Sequence, residues 1–261
     1  MHPSYTFMLR LDAWVLMLIL FALMIISILV GLKTGKKIHK ESPVDSTILA
    51  SLITLLGLML AFTFSMAVNN YNMRREIIID EANDIGTAIL RADLYRDADR
   101  NLFRADFKKY VDSRVDYFAA GVNMEKVMVA QKLSATIQQE LWNRAVKLSR
   151  DSGNVVASMQ MVPALNSMID ITTTRTYANV IHLPDTINYL LLFLSCTCAF
   201  YIGYMSAAKV KFDWLMVLIF CLLTSLVVFV IFDLDRPRRG FITLDQMNNA
   251  IVELKQMFPE K

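Results

Sequence analysis

Histidine and cysteine are scarce in this chain, three of each in 261 residues, and their positions exclude more than their number does. His2, His39 and His182 are far apart, while Cys196, Cys198 and Cys221 all stand in apolar surroundings. No pair has the spacing of a zinc site, and no disulfide framework can be drawn. Glycine and proline are also few, at 8 and 6. That argues against a turn-rich β fold and against a Gly-rich phosphate loop. No Ser/His/Asp set and no heme motif is present, so neither an enzyme nor a cofactor is expected. The net charge of +3 is too small to point to nucleic acid. Residues 69–186 hold equal numbers of basic and acidic side chains.

What the chain has in abundance is apolar side chains, at 55% of residues, and they come in blocks. Residues 13–32, 44–68, 187–208 and 214–232 each read as a helix long enough to cross ~30 Å of hydrocarbon. A secretory signal is the competing reading of the first block, but that block is long for one and no small-residue cleavage site follows. Residues 1–12 form an N-terminal tail and 33–43 a basic loop with Lys33, Lys36, Lys37 and Lys40. Residues 209–213, with Lys209 and Lys211, leave room for a tight loop only. No Gly-Pro punctuation follows the block at Val68, which predicts that the second helix continues out of the membrane.

Between the inner blocks, residues 69–186 read as a helical middle domain. Leu102, Phe103, Phe107, Tyr110, Val111 and Phe118 recur at helical spacing, as do Val127, Ala130, Leu133, Ile137, Leu141 and Leu148. Residues 233–261 carry an amphipathic tail with Leu244, Met247, Ile251, Leu254 and Met257, suited to a bilayer surface or to capping a bundle. The predicted fold is all-α, with two transmembrane hairpins flanking a helical bundle. Lysine density in the short loops favours the cytoplasmic side for these loops. The middle domain and both termini then lie outside.

The second block and its continuation carry one small and polar stripe, Thr47, Ser51, Thr54, Ala61, Ser65, Asn69 and Asn72, interrupted near Leu58, which shares the face. Lipid-facing positions favour large apolar side chains, so this stripe suits close packing between helices or a water-filled path. Arg74 and Arg75 follow it. Asp233, Asp235, Arg236, Arg238 and Arg239 stand where the fourth block ends and serve as interface anchors or gating charges. Glu81 and Asp84 lie one helical turn apart, a spacing more often part of a salt-bridged face than of a metal site.

Five segments together resemble the bestrophin-like family of bacterial four-helix membrane proteins. They are residues 56–65 (LGLMLAFTFS), 80–88 (DEANDIGTA), 164–170 (ALNSMID), 182–184 (HLP) and 233–240 (DLDRPRRG). The resemblance implies two membrane hairpins around a helical domain. It also implies a remoter likeness to bestrophin anion channels, whose second span carries an apolar neck followed by a polar and basic exit. Leu60, Phe62 and Phe64 are the matching constriction candidates, and Arg74 and Arg75 the matching mouth. The chain departs from bestrophins at Thr63, where they carry Arg after the Phe, and in having no evident acidic calcium clasp. Bestrophins hold their helical domain in the cytoplasm, opposite to the side the lysines favour here. The partners expected are the lipid bilayer, further copies of the chain as a homo-oligomer, and an inorganic anion.

Overall fold

The computed structural model describes residues 11–38, 46–207 and 212–258, and these residues are all helix, turn or loop. The helices are α1 (Ala13–Ile38), α2 (Ser46–Arg91), α3 (Asp97–Ala119), α4 (Met124–Ser149), α5 (Val155–Ala178), α6 (Asp185–Ser206), α7 (Trp214–Leu234) and α8 (Asp245–Glu253). Short 3-10 turns follow α2, precede α5 and continue α8. Four helices, α1, α2, α6 and α7, are long and apolar enough to cross a membrane. At ~1.5 Å per residue, the 46 residues of α2 reach about 70 Å, more than twice the hydrocarbon thickness. Part of α2 therefore lies outside the bilayer.

The chain divides into two compact units. The first holds the described residues up to Tyr71 together with His182–Arg236 and Gly240–Ile242. Its core is drawn from Leu20, Met24 and Ile28 of α1, Leu191 and Cys198 of α6, and Cys221 and Val228 of α7. Large apolar side chains such as Leu18, Phe193, Leu215 and Leu223 cover the outside, a surface suited to lipid and not to water. α1 and α6 meet backbone to backbone. A Cβ at Gly31 would overlap the carbonyl oxygen of Phe200, and one at Gly203 that of Ile28. Small residues at a crossing allow the close approach that drives helix association in lipid.

The first helix is longer than the sequence suggests. Lys33, Lys36 and Lys37, expected in a loop, lie in the last turns of α1. Lysines there complement the negative end of the helix dipole, so the charge cluster extends the helix instead of ending it. Lys40, Lys209 and Lys211 fall outside the described residues, as do His2 and His39.

The second unit holds Asn72–Ile181, Pro237–Arg239 and the described residues from Thr243 onward. The rest of α2 contributes Ile85, Ala88 and Ile89 to a core with Phe103, Phe107 and Tyr110 of α3, Leu141 of α4 and Met161, Leu165 and Met168 of α5. Along α4 the buried line is Val127, Ala130, Ser134, Ile137, Leu141 and Ala145. Leu133, expected inside, is 48% exposed, and Leu102 on α3 likewise. At about 100° per residue Ser134 falls near the middle of that buried arc and Leu133 at its edge, so register outweighs side-chain hydrophobicity. Ser134 satisfies its hydroxyl against Ser113 at 2.9 Å and its own helix backbone. The C-terminal segment caps this bundle: Ile251 is buried, and Leu254 and Met257 pack on the same core.

Candidate functional site

α2 turns about 100° per residue, so Leu56, Thr63 and Ala67 fall on one side and the small, polar stripe on the other. Those three are buried against the first unit. Thr47, Ser51, Thr54, Leu58, Ala61, Ser65, Asn69 and Asn72 are all exposed. Only 11% of the apolar stretch of α2 is buried within the chain, against 28% for α1 and 39% each for α6 and α7. The chain thus leaves this span largely uncovered, and the small, polar stripe is exposed together with larger apolar side chains such as Ile48, Leu55 and Phe62. The hydroxyls of Ser51 and Thr54 donate to the carbonyls of Thr47 and Ala50 at 2.9 Å, which satisfies them in any surroundings.

The three constriction candidates point differently. Leu60 packs against the core of the first unit. Phe62 and Phe64 are 60% and 42% exposed. By helical geometry Phe62 lies nearest the stripe. Arg74 is 2% exposed, and its guanidinium donates to the carbonyls of Ala178 and Ile181, where α5 ends. A cation against the last carbonyls of a helix is favourable for the dipole and for the orphan acceptors. Arg75 is half-buried.

The charges after α7 organise backbone. One oxygen of Asp233 accepts from the amides of Phe241 and Ile242 at 2.9 and 2.8 Å. Its other oxygen lies where a Cβ on Gly240 would be, and Gly240 has φ +111°. Asp235 accepts from the amide of Leu183 at 2.9 Å and from the Asn70 amide group at 3.4 Å. His182 Nδ1 lies 2.8 Å from the Asp235 carbonyl oxygen and 3.5 Å from its carboxylate. Arg236 donates to the carbonyl of Leu11. Asp233, Asp235 and Arg236 are therefore buried ties holding the ends of the spans together, while Arg238 belongs to the second unit and Arg239 is exposed.

The second unit contains a polar centre that the sequence did not announce. Glu81 of α2 is fully buried, with Arg114 Nε and Arg175 Nη1 each 2.5 Å from its carboxylate. Burial alone would raise the Glu81 pKa, but the two guanidiniums outweigh it and hold the carboxyl below its ordinary value. Arg175 also donates to Asn248 at 2.5 Å. Tyr117 stands among Arg114, Arg238 and Arg175, whose guanidinium carbons lie 4.5, 4.5 and 5.6 Å from its ring centre. Two nitrogens of Arg114 are buried without a hydrogen-bond acceptor. Beside this centre a cavity of about 240 Å³ is lined by Arg74, Arg175, Arg238, Tyr117, Asn248 and Asp245, among others. Among the described residues no group of three His, Cys, Asp or Glu side chains is placed to hold a metal.

Sequence reasoning singled out Glu81 but not its partners. The available signal was positional: Arg114 shares the buried side of α3 with Tyr110 and Tyr117, where a charge needs a counter-charge. Gly31 and Gly35, four apart where the apolar block gives way to lysines, were the legible mark of the α1 crossing.

Four apolar helices and a helical unit with a charged interior define a polytopic, all-helical membrane protein. A family model described as a bestrophin-like domain matches residues 16–247, nearly the whole chain, and the protein belongs to that family. No curated protein and no solved structure gives a significant match.

Proposed function

We propose that copies of this chain assemble with the stripe of α2 around a shared axis, forming a path for ions, of which anions are the best candidates. The observation that carries this reading is the exposure of the whole stripe on the least covered of the four spans. Small and polar side chains gain little from lipid tails, whereas they suit a neighbouring copy or water. The namesake channels conduct anions through their second span, and the family supports the same use here. Leu58 and Phe62 are the apolar positions nearest that axis and the best constriction candidates. Arg75, half-buried, is the mouth-charge candidate, whereas Arg74 is buried against the end of α5. The proposed site is a bacterial plasma membrane, with the middle domain outside the cytoplasm. Cysteine labelling at Val156, 77% exposed, reads that side, whereas Ser134 is too buried to report it.

A second reading is a non-conducting sensor or assembly module. It is favoured by the fully buried ion pairs on the same helix, which give the second unit a rigid interior. Liposome flux of purified protein separates the two. Conduction that Ser65→Phe abolishes, in a particle of three or more copies, fits the pore. Absence of flux across varied pH, calcium and voltage, in a dimer whose stripe is covered, fits the module.

A further inference from the structure

We propose that the cavity of the second unit binds a small oxyanion bearing a phosphate or carboxylate group, held by Arg74, Arg175 and Arg238. This inference is independent of conduction, because every side chain used belongs to the second unit. The cavity, about 240 Å³, far exceeds the space one water needs, yet is smaller than a typical site for a drug-sized molecule. Three arginines line it against one acidic side chain, Asp245. Glu81 is spread over Arg114 and Arg175 and compensates only part of that charge.

The donors are built into place. Arg238 donates to the carbonyls of Tyr117 and Gly121 at 3.3 and 3.1 Å, and Arg74 to the end of α5. Such anchoring fixes each guanidinium in place. The ring of Tyr117 holds Arg114 and Arg238 on its faces, a cation–π contact that offsets part of their mutual repulsion. Arg114 does not line the cavity, but it adjoins it across the Tyr117 ring and adds a further buried positive charge, with two nitrogens that find no acceptor in the protein. Planar guanidinium forks match the paired oxygens of phosphate and carboxylate better than they match a halide.

The test uses the full chain in neutral detergent. Its unfolding temperature is followed with inorganic phosphate, with succinate and with chloride at matched ionic strength, and again with phosphatidylglycerol added to the micelles. The site predicts a concentration-dependent rise with phosphate or succinate that chloride does not reproduce. Arg238→Gln should weaken that binding about ten-fold or more, the loss of one charged hydrogen-bond donor. Asp245→Asn, on an exposed side chain, should tighten it, a gain that a purely structural role cannot produce. If Arg238→Gln fails to fold, the gain in Asp245→Asn carries the test. A rise with phosphatidylglycerol alone, lost in Arg238→Gln, assigns the oxyanion to a lipid headgroup. An equal response to chloride, no response to any probe, or unchanged binding in Asp245→Asn overturns the proposal.

Discussion

The two stretches of α2 are built by the same backbone but finished differently. Between Ser46 and Tyr71 only Leu56, Thr63 and Ala67 are buried. Between Asn72 and Arg91 the helix buries Arg74, Ile77, Ile78, Glu81, Ala82, Ile85, Ala88 and Ile89. The later stretch finds its partners within the chain, including two counter-charges for Glu81. The earlier stretch does not, and its cover has to come from lipid, water or other copies. Burial within the chain is thus concentrated in one stretch, and exposed surface in the other.

The sharpest way to break this contrast is at Glu81. Glu81→Gln leaves Arg114 and Arg175 buried around a neutral side chain. Losing one member of a buried charge network costs about 3–5 kcal/mol, so the second unit should melt far below the wild type in thermal unfolding. The pH dependence has a definite sign. The folded-state pKa of Glu81 is depressed below its ordinary 4.5, so the unfolded chain takes up the proton more readily. Its stabilisation is complete above about pH 4.5 and is lost as pH falls through the depressed value. Glu81→Gln should flatten that acid limb. An unchanged acid profile would separate the network from the stability of this unit.

The next effect belongs to the spans. Gly203→Leu forces a side chain into the backbone of Ile28 at the crossing of α1 and α6. Overpacking of this kind costs about 1–3 kcal/mol, and a contact made by backbone has little room to give. Denaturation in mixed micelles should show it. Gly240→Ala is smaller, about 1–2 kcal/mol, from a disfavoured positive φ and the loss of room beside Asp233. A wild-type midpoint in Gly240→Ala would mean that the Asp233 turn is not held as tightly as its two amide bonds imply.

How much of this was legible follows from what each feature depends on. The spans and the helical bundle were visible because periodicity is local. The choice of Ser134 over Leu133 was not, since it depends on two other helices sharing one register. Asp233 to Gly240 was recognisable as a motif, but its charges read as surface or gating groups. Their carboxylates instead accept backbone amides, a use that composition cannot reveal. The cavity was the least legible element. Arg74, Arg175 and Arg238 are about a hundred and sixty positions apart end to end, and only the fold makes them neighbours.

A matched pair on the earlier stretch of α2 gives the smallest effect and the finest test of its two faces. Thr63 is 1% exposed and donates to the carbonyls of Met59 and Leu60, while Thr54 is exposed and bonds only its own helix. Thr63→Leu enlarges a packed position and should cost about 1 kcal/mol in the protomer, whatever the assembly does. Thr54→Leu touches nothing inside the chain and should stay within about 0.5 kcal/mol. Its effect should appear instead in particle mass by light scattering, or in flux, because a branched apolar side chain replaces a small one on the stripe. If Thr54→Leu destabilises an isolated protomer as much as Thr63→Leu does, the stripe is packed within the chain. The pore and the assembly module then lose their common surface together.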